Sequence, residues 1–237
     1  MYSVSAYGDS TVDGVGTTPF APNGYDGDGN AVPNYYHNNQ APASWPVLID
    51  VNLTPSGVRV FNNGYGGRAV IDDWAINNLA AAVTQNSTNT DLRFVLLDFG
   101  LNDVVRSNWS ADLYRQKYTT LIQAVRQAGL IPVILTSDPV SNNNERPTAL
   151  IQDVLVPMQR VVAGSNACML CDKNAQLLST WPEWNQNQPD GLHFNNLGHQ
   201  KKAAIIQPFI TQNFPGAIAP APSWASVGSG PFPPFGI

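Results

Sequence analysis

RFVLLDFG, residues 93–100, is a near-continuous apolar run that stops at a glycine. A strand with one face in water alternates apolar and polar residues, whereas a strand covered on both faces does not. The stretch therefore reads as a central strand of a parallel sheet with helices on either side. Other stretches fit beside it. YSVSAY at 2–7 runs into Gly8, VRVFN at 58–62 precedes the glycine-rich NGYGGRA, LIPVILTS at 130–137 is another buried run, and ACMLCD at 167–172 makes a fifth strand.

Helical patterns separate them. SWPVLIDVNL at 44–53 reads as a short helix opened by Ser44. Val70, Ile71, Trp74, Ile76, Leu79, Ala80 and Val83 fall at helical spacing over 70–83. Residues 110–128 form the best amphipathic helix, with Leu113, Tyr114, Tyr118, Leu121, Ile122 and Val125 on one face and Ser110 as N-cap. PTALIQDVLVPMQRVVAG at 147–164 reads as a helix that Pro157 should kink or break. A last helix covers 195–213. This alternation predicts an α/β domain with three layers, α/β/α, around a parallel sheet. We expect that domain over 1–214 and a Pro/Gly-rich arm over 215–237, where no periodicity is visible.

The chain has 237 residues, enough for one full core. Only 12% are charged and the net charge is −5, with no basic run. That excludes the electrostatic footprint of a nucleic-acid or anionic-membrane partner. No stretch approaches 18 consecutive apolar residues, as a membrane span would require. An amide-rich, charge-poor surface points to an extracellular or particle-associated protein, although no signal peptide is visible. Two cysteines, Cys168 and Cys171, form a C-x-x-C that a redox pair, a metal half-site or a local disulfide would share. A zinc site needs further ligands that the neighbourhood does not offer, so we read both as apolar residues on a buried strand.

In an open parallel sheet a ligand site lies beyond the carboxyl ends of the strands. Gly8-Asp9-Ser10 follows the first strand, Gly64-Tyr65-Gly66-Gly67 the second and Gly100-Leu101-Asn102-Asp103 the third, while Asp190-Gly191-Leu192-His193 precedes the last helix. A hydrolytic serine needs a base, and that base needs an orienting acid. Ser10, His193 and Asp190 supply those types. The Ser10 N–H, the Gly67 N–H and the Asn102 amide are candidate oxyanion donors. Asp9 and Asp103 read as hydrogen-bonding to loop backbone, and His199 as a packing or hydrogen-bonding residue. Asp13, His37, Tyr35, Tyr36 and Trp109 are candidate cleft residues. An Asp-x-x-His could be half of a metal site, yet no other ligands cluster with it, so neither metal nor cofactor is expected.

The blocks GDST, NGYGGRA, GLND and DGLH, in that order over residues 8–193, resemble the SGNH hydrolase superfamily, also called GDSL esterases and lipases. The resemblance implies a flavodoxin-like α/β/α fold with a five-stranded parallel sheet and Ser10 as nucleophile. It implies Asp190 and His193 completing the triad, and Gly67 and Asn102 in the oxyanion hole. Thr11 stands where the family often has Leu, and Phe194 where a Pro often follows the His, a change expected to reshape the mouth. Gly64 and Gly66 compete with Gly67; its spacing from Asn62 favours Gly67. Family members hydrolyse short acyl esters, lipids, thioesters and O-acetyl groups on polysaccharides. The Tyr- and Asn-rich loop at 17–43, with Trp45 and Trp109, suits stacking on sugar rings. The expected function is therefore a carbohydrate O-acetylesterase, with a general short-chain carboxylesterase or lipase next. A third reading is a non-catalytic binding module of an extracellular or phage-tail assembly.

Overall fold

The computed structural model describes residues 2–21, 41–87, 91–141 and 143–213. Tyr35, Tyr36, His37 and the expected 215–237 arm lie outside the described residues, as does most of the 17–43 loop. Five parallel strands form one sheet: β1 (Tyr2–Gly8), β2 (Val58–Gly64), β3 (Asp91–Asp98), β4 (Ile131–Leu135) and β5 (Met169–Cys171), in the order β2-β1-β3-β4-β5. That is the flavodoxin-like doubly wound order, and its switch point lies between β1 and β3.

The helices are α1 (Ser10–Asp13), α2 (Trp45–Leu53), α3 (Trp74–Ser87), α4 (Ala111–Gln127), α5 (Val156–Ser165), α6 (Lys173–Thr180) and α7 (Asn196–Asn213). Because side chains alternate across a strand, each central strand feeds both faces. On one side Tyr7, Val95 and Leu97 pack with α3, α4 and α5, through residues such as Leu79, Leu121 and Val162. On the other Val4, Ala6 and Leu96 pack with Trp45 and Ile49 of α2 and Ile206 and Ile210 of α7. This two-sided burial is why 93–100 carries no polar alternation.

The expected α4 face is the buried one: Tyr114, Tyr118, Leu121, Ile122 and Val125 are fully covered, and the Ser110 side chain caps the helix by accepting from the Leu113 N–H. The Tyr114 and Tyr118 hydroxyls donate to the carbonyls of Phe99 and Leu97, so both rings are buried without a polar orphan.

Four details differ from the sequence reading. The third helix starts at Trp74 rather than at 70, because Val70 and Ile71 are held in a turn by Asp103 Oδ1, which accepts from both N–H groups at 2.8 and 2.9 Å. Pro157 does not break its helix; a π-helical stretch at Leu150–Leu155 runs into α5 and leaves the proline near the start of that segment, where its missing N–H matters least. Ser44 precedes α2, but its hydroxyl accepts from Asn62 Nδ2 and makes no cap hydrogen bond; Nδ1 of buried His199 accepts from the Trp45 N–H instead. Finally α6, capped by Asp172 accepting from the Ala175 N–H, was not foreseen.

Candidate active site

β1 ends at Gly8 and the chain turns at once into α1, a single helical turn whose first residue is Ser10. Asp9 is the N-cap: its Oδ1 accepts from the Thr11 N–H and the Thr11 hydroxyl, both at 2.9 Å. The Asp9 N–H donates to the Asp98 carbonyl at the end of β3. Burial, then the nearby Asp98 carboxyl, push the Asp9 carboxyl up to about 7. The turn is tight enough that Gly64, which pairs with Gly8, has no room for a side chain: a Cβ there would collide with the Asp13 backbone nitrogen.

His193 stands over this turn. Its Nε2 lies 2.8 Å from Ser10 Oγ, and its Nδ1 lies 2.6 Å from Asp190 Oδ2. The other carboxylate oxygen, Asp190 Oδ1, accepts from the N–H groups of Leu192 and His193 at 2.9 and 2.7 Å. Partial burial raises the Asp190 carboxyl, but these hydrogen bonds outweigh it and hold the group below the usual carboxylate range. Asp190 thus stays ionised and fixes the imidazole tautomer that carries its proton on Nδ1, leaving Nε2 as an acceptor facing Ser10.

The glycine loop after β2 and the turn after β3 flank the serine. Gly67 takes a φ of +75°, a backbone conformation that suits glycine. The Gly67 carbonyl accepts from Arg106 Nη2 at 2.7 Å, so its peptide plane is held from outside. Asn102 is buried: its Nδ2 donates to the Arg68 carbonyl at 3.1 Å and its Oδ1 accepts from Arg146 Nη2 at 2.9 Å. Sequence reasoning did not find Arg146.

Beneath the Ser10 turn lies a buried ion network, also unforeseen. Lys173 Nζ donates to Asp98 Oδ2 and Asp138 Oδ1 at 2.6 and 2.7 Å, and Lys202 Nζ donates to Asp138 Oδ2 and the Thr11 carbonyl, both at 2.9 Å. Burial favours the neutral acid at Asp138, but the two ammonium groups outweigh it and hold that carboxyl well below its ordinary value. Lys202 thereby ties α7 to the residue after Ser10.

Several expectations resolve against this geometry. Asp9 and Asp103 do hydrogen-bond loop backbone. His199 is buried, and burial followed by the Lys202 charge keeps it neutral. Trp45 is not a sugar-stacking residue: it is fully buried between α2 and the sheet, because its ring completes the apolar layer. Asp13 is likewise buried, not on the cleft surface, and Trp109 is half-buried against the core beside α4. Phe194 does not shape the mouth; it packs inward on Trp181 at a ring distance of 5.6 Å. Cys168 and Cys171 are free thiols, pushed by burial up to about 11 and about 12. Among the described residues no group of three or more His, Cys, Asp or Glu could hold a metal, and no helix is long and apolar enough to cross a membrane.

A Gly-Asp-Ser turn after the first strand, a glycine loop after the second, a Gly-x-Asn turn after the third and an Asp-x-x-His ahead of the last helix define an α/β acyl-hydrolase architecture. The chain belongs to the GDSL-like lipase/acylhydrolase family, whose model matches residues 6–201. Solved structures share the fold. A lipase/acylhydrolase from Enterococcus faecalis superposes with a TM-score of 0.65 at 20% identity, covering 90% of this chain and 97% of its own. An acetylxylan esterase from Geobacillus stearothermophilus gives 0.60 at 18% identity, covering 88% and 93%. Another acetyl xylan esterase gives 0.63 at 17% identity, covering 89% and 100%. A search of curated proteins found no match.

Proposed function

We propose that the protein is a serine esterase that removes short acyl groups, with O-acetyl groups on carbohydrate as the favoured substrates. The observation that carries the reading is the unbroken hydrogen-bond chain from Ser10 Oγ through His193 to Asp190, at 2.8 and 2.6 Å. Ser10 Oγ attacks the ester carbonyl while His193 Nε2 takes its proton. Negative charge develops on the carbonyl oxygen and meets the Ser10 N–H, the Gly67 N–H and Asn102 Nδ2. Collapse of the tetrahedral intermediate expels the alcohol, which receives the proton from His193. Water, deprotonated by the same imidazole, then hydrolyses the acyl-serine. Asp190 stabilises the imidazolium in both halves.

Two acetylxylan esterases among the structures of similar fold support the carbohydrate substrate, as does the amide- and tyrosine-rich composition of 17–43. The burial of Trp45 removes one residue from that argument and favours, as second reading, a general short-chain carboxylesterase. Hydrolysis of p-nitrophenyl acetate, butyrate and octanoate beside acetylated xylan, in the wild type and in Ser10→Ala, tests both. The expected result is turnover that vanishes in the variant and is fastest on acetyl groups. Equal rates on acetylated xylan and simple butyrate esters would favour the second reading. Turnover that survives in Ser10→Ala would overturn the mechanism, and its absence from both proteins would put the binding-module reading first.

A further inference from the structure

We propose that Arg146 is a positioning residue of the oxyanion pocket: its guanidinium fixes which way the Asn102 amide faces and strengthens the N–H that the amide offers. The inference deepens the esterase reading and rests on it.

Arg146 lies between β4 and the π-helical stretch, and its side chain folds inward until the residue is 8% exposed. Nε donates to the Leu101 carbonyl at 2.6 Å, Nη2 to Asn102 Oδ1 at 2.9 Å, and Nη1 to Glu145 Oε2 at 3.2 Å. Its own N–H donates to the carbonyl and the Oδ1 of Asn143, both at 3.1 Å, which anchors the segment. The fork of the guanidinium therefore grips two consecutive residues of the Gly-x-Asn turn, a match to its planar donor geometry that an ammonium cannot copy.

A carboxamide has an accepting end and a donating end, and a guanidinium only donates. The atom that faces Arg146 must therefore be the Asn102 oxygen. The nitrogen is thereby turned toward the glycine loop, where one of its hydrogens meets the Arg68 carbonyl at 3.1 Å. An amide nitrogen carries two hydrogens, and the other is the donor an oxyanion would use. With the amide rotated by half a turn, a carbonyl oxygen would stand at that place and repel the developing charge. The arginine charge on Oδ1 also polarises the amide and makes its N–H a stronger donor.

The test combines kinetics on p-nitrophenyl acetate with nitrogen-15 spectra of the side-chain amides. The proteins are the wild type, Arg146→Met, Arg146→Lys, Asn102→Ala and the double variant Asn102→Ala/Arg146→Met. Arg146→Met should lower kcat about 10–100-fold, below the roughly 10²–10³ expected for deleting an oxyanion donor, with KM moved by less than about 3-fold. Arg146→Lys keeps one donor and should fall between. The double variant should be no more than about 3-fold slower than Asn102→Ala, since the arginine acts through an amide that is gone. The Asn102 amide pair, identified by its loss in Asn102→Ala, should move toward the position of a mobile amide in both arginine variants.

A folded Arg146→Met with wild-type kcat would overturn the proposal, as would a full extra loss in the double variant or an unmoved amide pair. If Arg146→Met does not fold, Arg146→Lys carries the same comparisons. The esterase reading is judged separately, on whether wild-type turnover depends on Ser10. The amide spectra judge the orientation of Asn102 even where turnover fails.

Discussion

Replacing Lys173 by Met keeps the length of the side chain and deletes its charge. Lys173 is fully buried, and its ammonium donates to Asp98 at 2.6 Å and to Asp138 at 2.7 Å. Asp138 would still have Lys202. Asp98, itself 2% exposed, would be left as a buried carboxylate close to Asp9. Removing one partner of a buried ion pair costs about 3–5 kcal/mol. At about 2–4 °C per kcal/mol for a domain of this size, the melting temperature should fall by about 6–20 °C. The loss should depend on pH. Burial already holds the folded-state pKa of Asp98 above its unfolded value despite the Lys173 charge, and losing that cation raises it further. The variant is then penalised at high pH, and the gap from wild type narrows as pH falls through the raised pKa. Urea unfolding of wild type, Lys173→Met and Lys173→Met/Asp98→Asn at pH 5 and pH 8 measures this. The double variant should recover most of the loss at pH 8, because a carboxamide is neutral. A loss under about 1 kcal/mol, or the same gap at both pH values, would refute the reasoning that the network holds an otherwise uncompensated charge.

Other outcomes follow from single features. Asp190→Asn leaves the shape of the turn but not the imidazole tautomer, so kcat should drop by about 10²–10⁴ with little change in KM, read by steady-state kinetics at pH 8. Asp9→Asn should still cap α1 while removing the cost of ionising a buried carboxyl. The folded-state pKa of Asp9 is raised to about 7, so its contribution to stability is present below the unfolded value and lost as pH rises. Wild type should therefore weaken against Asp9→Asn between pH 4 and pH 7 by up to about 1.4 kcal/mol per pH unit, and denaturant midpoints that run parallel would count against it. Gly57 and Gly64 separate backbone strain from crowding. Gly57→Ala, at a φ of +82° with open space around it, should cost about 1–2 kcal/mol. Gly64→Ala, aimed at the Asp13 backbone, should abolish soluble expression or cost several times more in thermal unfolding.

The sheet and the four sequence blocks at its edge were legible because both rest on local signals. Central strands such as 93–98 announce two-sided burial, and the residues that follow them fall at one edge of the sheet whatever the helices do. What escaped was set by distant parts of the chain. Val70 and Ile71 have helical spacing, but the Asp103 carboxylate, more than thirty residues away, claims their N–H groups and delays α3. Trp45 sits beside a loop of tyrosines and asparagines, and only the packing of α2 on the sheet shows that its ring is core. α6 is eight residues long, too short for a periodic pattern to stand out, although Asp172 with its cap was a visible start signal. Nothing local marks Lys173, Lys202 or Arg146, because the buried groups they grip lie 35 to 191 positions away.

The separation of Ser10 from His193 has a bearing on how the protein is made. Ser10 precedes His193 by 183 positions, so the strand-end turn is synthesised well before the imidazole that stands over it. Until the segment around Asp190 and His193 docks, and α7 brings Lys202 under the Thr11 carbonyl, Ser10 is an ordinary alcohol on an exposed turn. On the proposed mechanism, a chain that stops short of His193 therefore holds no activated serine for an ester to acylate. On that mechanism Ser10 becomes reactive only when the segment bearing His193 reaches it, so a serine-directed probe added during refolding would time that docking step.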